Sequence, residues 1–229
     1  MSYATDLERG VMVPAGKVEL EGNLAAPADA VGIVVFAHGS GSSRFSPRNR
    51  FVAGDLRKRR LATLLMDLLT AREEAVDQRT ARLRFDIEML AERLAAAAAW
   101  LRTGPETAGL PVGYFGASTG AAAALVAAAR HPEHIGAVVS RGGRPDLAGS
   151  RLDDVRAPTL LIVGGADTVV IGLNKKAYRR LRCVREMQIV PGASHLFEEP
   201  GTLEQVARLA GGWFAHWLPA AGPGRETGK

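Results

Sequence analysis

The 229-residue chain has one cysteine, Cys183. A single thiol excludes an internal disulfide framework and suits a reducing compartment. Cys183 stands between Arg182 and Val184, just before an apolar run, and reads as a semi-buried structural thiol. Long hydrophobic runs are also missing. The strongest helical one, Leu94 to Leu101, falls far short of the roughly 20 residues that a membrane span needs. The opening MSYATDLERG has no apolar core region and no small-residue cleavage site, so no secretory signal is expected. The expectation is a cytoplasmic chain with no membrane partner. No His, Cys and carboxylate spacing suggests a metal site.

Positive charge is plentiful but not organised. The net charge is +5 and the pI about 9.8. The basic residues are scattered, and the densest run, Arg57-Lys58-Arg59-Arg60, closes an expected helix. Cations there complement the helix dipole and stay solvated. No aromatic residues interleave with them as a stacking platform would require, so no nucleic-acid partner is expected.

The composition is that of a globular protein, 47% hydrophobic and 23% charged. The length suits a single α/β domain over residues 1–218, followed by a Gly- and Pro-rich tail, 219–229, expected to be disordered. Such a domain buries roughly 70% of its unfolded surface and needs no staple.

Short β-branched runs alternate with longer amphipathic or Ala-rich runs. That pattern predicts a mostly parallel sheet with helices on both faces, a three-layer α/β/α sandwich. Eight strands are expected: 11–14 and 17–24 as an antiparallel hairpin, then 32–37, 61–66, 111–115, 135–139, 159–163 and 186–190. The run Gly32-Ile-Val-Val-Phe-Ala37 is almost wholly apolar, as for a strand covered on both faces. Helices are expected from Ser46-Pro47 (cap, then proline at the first helical position) and over 84–101, 120–130, 175–182 and 203–218. Only 19 residues separate the strand ending at Val139 from the one starting at Thr159. That allows one short helix and no lid domain, so the site should be open to solvent.

Gly116-Ala117-Ser118-Thr119-Gly120 fits G-x-S-x-G between a strand and a helix, the context that gives the motif meaning. The glycines answer a steric need, because a strand turning sharply into a helix leaves no room for side chains beside the serine. A neutral hydroxyl is a poor nucleophile and needs a base. Two later residues have the right type and order: Asp167 after Leu160–Val163, and His195 after Met187–Val190. Both lie just past strand C-termini, the edge where open parallel sheets bind ligands. Asp146, after the preceding strand, is a rival for the acid but also reads as a turn or helix cap. Asp67 lies upstream of the serine and breaks the order.

An oxyanion hole needs two backbone donors. Thr119 N–H follows the nucleophile. Ser40 N–H, in His38-Gly39-Ser40-Gly41-Ser42-Ser43-Arg44, is the expected second. His38 is expected to brace that loop. His131, His134 and His216 fall in a helix end, a turn and an amphipathic helix, with no chemistry expected.

The HGSGSSR, GASTG, GGADTVV and GASHLF segments together resemble the α/β-hydrolase superfamily over residues 11–218, and within it the dienelactone hydrolase-like branch. The name-giving enzymes of that branch use a cysteine where this chain has Ser118. The resemblance therefore implies ester or acyl-transfer chemistry rather than dienelactones as substrates, with no cofactor.

Arg44, Arg48 and Arg50 follow the oxyanion loop, and Arg141 follows the strand after the elbow. Arginine suits bidentate recognition of carboxylate or phosphate. Either Arg44, Arg48 and Arg141 bind an anionic substrate, or these arginines are solvated or brace loops through carboxylates such as Asp146. The expected function is a serine hydrolase cleaving a small ester, thioester or lactone, with Ser118, Asp167 and His195 as triad and the chain a monomer or homodimer. The alternatives are an acyltransferase or perhydrolase on the same residues, and a non-catalytic binding module.

Overall fold

The computed structural model describes residues 8–218. The first seven residues and the expected tail 219–229 lie outside them.

Eight strands form one sheet in the order β1-β2-β4-β3-β5-β6-β7-β8. They are β1 (Arg9–Ala15), β2 (Val18–Ala25), β3 (Gly32–Ala37), β4 (Leu61–Met66), β5 (Val112–Ala117), β6 (Ile135–Arg141), β7 (Thr159–Gly164) and β8 (Arg185–Val190). β1 pairs antiparallel with β2, and β2 antiparallel with β4. The remaining pairs are parallel. Every residue of β3, β4, β5 and β7 is buried, which is why their sequences run apolar without alternation. The edge strand β8 leaves Glu186, Gln188 and Ile189 exposed.

Among the described residues six α-helices accompany the sheet: α1 (Pro47–Lys58), α2 (Ala71–Thr80), α3 (Ile87–Leu101), α4 (Thr119–Arg130), α5 (Thr168–Arg180) and α6 (Thr202–Trp217). α1 and α6 cover one face around Phe36, Leu56, Phe115 and Phe214. α3, α4 and α5 cover the other around Leu94, Tyr114, Leu125 and Leu161. Each such fully buried side chain contributes about 1.5–3 kcal/mol over its exposed state. This is the expected three-layer α/β/α sandwich.

Most boundaries shift by one to three residues, and three departures from expectation are larger or bear on the site. α2 was not anticipated; a Thr70–Glu73 capping box starts it rather than an apolar stripe. α5 begins at Thr168 instead of 175, because Asp167 caps it. β6 runs on to Arg141 instead of ending at Val139.

The strand order reverses between β3 and β5: β4 lies to one side of β3 and β5 to the other. A crevice opens at such a switch point, beyond the strand C-termini. The loop after β3 and the β5–α4 elbow flank it.

Candidate active site

Ser118 stands between β5 and α4 with φ 49 and ψ −121, a strained conformation for a residue with a side chain. The neighbouring glycines make it possible. A Cβ on Gly116 would lie 2.4 Å from Ala121 Cα, and one on Gly120 would lie 2.2 Å from Ala37 O. Ser118 N–H donates to Arg141 O at 3.3 Å, and Arg144 N–H to Ser118 O at 3.0 Å. The elbow is thereby fastened to the end of β6.

Asp167 and His195 meet because the loops after β7 and β8 zip together. Gly165 N–H donates to Val190 O at 2.8 Å and Ala166 N–H to Ala193 O at 2.9 Å. His195 Nδ1 then lies 2.7 Å from Asp167 Oδ2. Asp167 Oδ1 accepts the Val170 N–H at 3.3 Å as the cap of α5. The aspartate side chain is 14% exposed and the histidine 38%. The acid is thus sheltered while the imidazole reaches solvent. His195 also packs against the end of β6: a Cβ on Gly142 would be 3.0 Å from His195 O and 3.7 Å from its Cε1. No hydrogen bond joins Ser118 Oγ to His195 among the described residues; such bonds often tighten only with substrate in place.

The loop after β3 is braced from within. His38 Nδ1–H donates to Gly39 O at 2.9 Å, and its Nε2 accepts Leu68 N–H at 3.0 Å, so the ring is neutral with its proton on Nδ1. Burial pushes its pKa below 6.5. Ser40 N–H is directed at Thr119 Oγ1, 3.1 Å away. Thr119 opens α4, so its own N–H has no acceptor within the helix.

The three arginines separate. Arg44 is engaged by Asp67 and Glu21, tying the loop to the end of β4 and the middle of β2, and makes no contact with Ser118, Asp167 or His195. Arg48 and Arg141 lie together between α1 and the His195 loop. Asp146 is held bidentately by Arg144 at 2.9 and 2.8 Å. Residues that sequence reasoning missed are Asn49, buried and bonded to Arg141, and Glu199, which accepts Ser194 N–H at 2.9 Å. The buried Phe197, at φ 57, was missed as well. Ser46-Pro47 placed Asn49 in a first helical turn, but nothing local marked its burial.

The dienelactone hydrolase family profile matches residues 21–213. The chain belongs to the dienelactone hydrolase family. A crystal structure of dienelactone hydrolase from Anabaena variabilis superposes with a TM-score of 0.90 at 61% identity, covering 92% of this chain and 98% of that one. Est1E from Butyrivibrio proteoclasticus shares the fold with a TM-score of 0.74 at 13% identity, over 90% of this chain and 98% of that one. A Mycobacterium tuberculosis protein, provisionally named a phosphoribosyl transferase, is 59% identical over 213 residues, 93% of this chain but 47% of its own length. The chain thus spans about half the length of the curated relatives it matches.

In this family member, residues 142–158 form no lid. They carry a 3-10 stretch, Pro145–Asp154, packed on α4 and α5. A cavity of about 570 Å³ borders the loop after β3, lined by Glu21, Arg44, Asp67, Thr70 and Glu74 among others, but not by Ser118, Asp167 or His195. Among the described residues no helix is long and apolar enough to cross a membrane, and no cluster of side chains could hold a metal ion.

Proposed function

We propose that this chain is a serine hydrolase that cleaves a small ester, thioester or lactone through an acyl-enzyme on Ser118. The observation that carries the reading is the 2.7 Å contact between His195 Nδ1 and Asp167 Oδ2 on the same sheet edge as the strained Ser118. With its Nδ1–H given to Asp167, the imidazole keeps the Nε2 lone pair for the serine proton. Ser118 Oγ attacks the carbonyl carbon, and His195 Nε2 takes the proton. The C=O electron pair moves onto oxygen, which is held by Thr119 N–H and Ser40 N–H. The pair returns, the leaving group departs, and His195 gives it the proton. Water then repeats the sequence on the acyl-enzyme and releases the acid. No cofactor enters this chemistry. The absence of a lid favours short acyl chains.

The transferase name of the M. tuberculosis relative belongs to a protein about twice as long. This chain matches only about half of that protein, so the reading here rests on the site geometry and not on that name. Acyl transfer to an alcohol or peroxide uses the same residues and differs only in the acceptor, so product analysis with competing acceptors separates it from hydrolysis.

A fluorophosphonate probe tests the proposal. One covalent adduct is expected on Ser118 of the folded protein and none on Ser118→Ala, which should also lose turnover of short-chain aryl esters. An unlabelled, inactive wild type would mean a binding module on a hydrolase scaffold.

A further inference from the structure

Arg141 ends β6 and is 6% exposed. Its Nη2 donates to Asn49 Oδ1, a neutral acceptor, at 3.1 Å, while its buried Nε has no acceptor. No carboxylate pairs with it among the described residues. Its charged neighbour is a second cation, Arg48, and burial followed by Arg48 pushes the Arg141 pKa down to about 10. Arg141 is therefore still a cation at neutral pH. Arg48 also has a buried Nε without an acceptor. Its Nη1 reaches Glu198 Oε1 at 3.1 Å, but Glu198 is 62% exposed and easily displaced.

Stability does not explain this cluster. Arg48 and Asn49 sit in the first turn of α1, which holds no acidic residue. Cations there oppose the helix dipole, whose positive end favours anions. The Arg141 guanidinium lies 5.9 Å from the Phe197 ring centroid, a contact that gives its Nε no acceptor. A buried cation beside another cation and a helix N-terminus is unfavourable unless an anion joins them.

The cluster borders the catalytic edge. The Arg141 carbonyl receives the Ser118 N–H, and the next residue, Gly142, lies under His195. We propose that Arg141, Arg48 and Asn49 form a subsite for a carboxylate or phosphate monoester carried by the substrate, with Glu198 as an internal carboxylate that the substrate displaces. The guanidinium fork matches both oxyanions. This rests on the serine-hydrolase reading and narrows its substrate to anionic esters. Arg44 takes no part, being held by Asp67 and Glu21.

Two measurements test it. The first compares kcat/KM for 4-nitrophenyl hemisuccinate against 4-nitrophenyl butyrate, and for 4-acetoxyphenyl phosphate against phenyl acetate. The pairs distinguish carboxylate from phosphate. Wild type is expected to prefer the anionic member of at least one pair by about tenfold or more, as charged hydrogen bonds allow. The ratio should fall toward one in Arg48→Gln and Arg141→Gln, and rise in Glu198→Gln. Arg48 is partly exposed, so its variant carries the test if the buried Arg141→Gln fails to fold. The second is calorimetric binding of succinate and inorganic phosphate to Ser118→Ala, with and without Arg48→Gln. Binding that Arg48→Gln removes supports the subsite even if no ester is cleaved, in which case only the hydrolase reading falls. Ester cleavage with no anionic preference, and no anion binding, overturns the subsite and leaves the hydrolase standing.

Discussion

The Ser40 backbone N–H and hydroxyl both meet the Thr119 hydroxyl, at 3.1 and 3.0 Å. The loop after β3 is thereby tied to the residue that follows Ser118. In the proposed mechanism an oxyanion at Ser118 must share the Ser40 N–H with Thr119 Oγ1 or draw it away. The threonine hydroxyl thus sets where that donor points before substrate arrives. Thr119→Val keeps the shape and removes the hydroxyl. We expect kcat on a short-chain ester to fall about 10- to 100-fold with KM little changed, less than the roughly 100- to 1,000-fold cost of losing a donor outright. Thr119→Ser should restore most of it. Unchanged kcat in Thr119→Val would mean that Ser40 N–H is aligned without the threonine.

Asp167 makes two contacts, and one substitution separates them. Its Oδ2 meets His195 while its Oδ1 caps α5. Asparagine caps helices about as well as aspartate. Asp167→Asn should therefore keep its thermal midpoint while kcat falls on the order of 10⁴-fold, because the imidazole is left in the wrong tautomer. Asp167→Ala should lose the same activity and about 1 kcal/mol of stability as well. Activity retained in Asp167→Asn would shift the acid role elsewhere, and Asp146 is already held by Arg144.

Two glycines give opposite outcomes on the same change to alanine. At Gly120 the new Cβ would sit 2.2 Å from Ala37 O and 2.5 Å from His38 O, both backbone atoms. Backbone cannot yield as a side-chain tip can, so Gly120→Ala should cost about 3 kcal/mol or more and displace the elbow. At Gly172, inside α5, a Cβ meets nothing within 4 Å. Gly172→Ala should add about 1 kcal/mol through helix propensity. In a domain of this size that raises the thermal midpoint by about 2–4 °C. A midpoint unchanged or lowered in Gly172→Ala would contradict the open space seen there.

The same residues explain what could be read from the sequence. The central strands were legible because burial on both faces leaves an unbroken apolar run, as in Gly32–Ala37. The elbow was legible because only glycine fits at 116 and 120. α2 was hidden because AREEAVDQRT has almost no apolar stripe; it is held by the Thr70–Glu73 box and by Arg93, which reaches Glu73 at 2.6 Å. The start of α5 was hidden because Val169-Val170-Ile171 reads as extended chain, while its cap looked like a loop acid. Arg141 was placed on the right edge but not in its burial. An arginine is normally exposed, and only the fold reveals that α1 and Phe197 enclose it without a carboxylate.

His38 should make stability depend on pH in a window where carboxylates contribute little. Its folded pKa is lowered by burial, with the hydrogen bond to Gly39 and then Asp67 and Glu74 opposing the shift but not reversing it. The unfolded chain takes up this proton near 6.5, and the folded chain only at lower pH. Between those values the unfolded state binds more protons, so stability falls as pH falls. The contribution of neutral His38 is complete above about 6.5 and is lost on acidification toward the folded value. Glu73 and Asp77 also have lowered pKa values, but their unfolded values of 4.5 and 3.8 place their losses at more acid pH. Urea unfolding of wild type from pH 8 to 5 should therefore show a midpoint that is flat at first and then declines below about 6.5. His38→Gln should be less stable at pH 7.5 by about 1–3 kcal/mol, since the Leu68 N–H and Gly39 O lose their partner. The gap between the two proteins should close as the pH approaches 5. A gap that stays constant over that range would mean that protonating His38 costs the folded state nothing, contrary to its burial between Gly39 and Leu68.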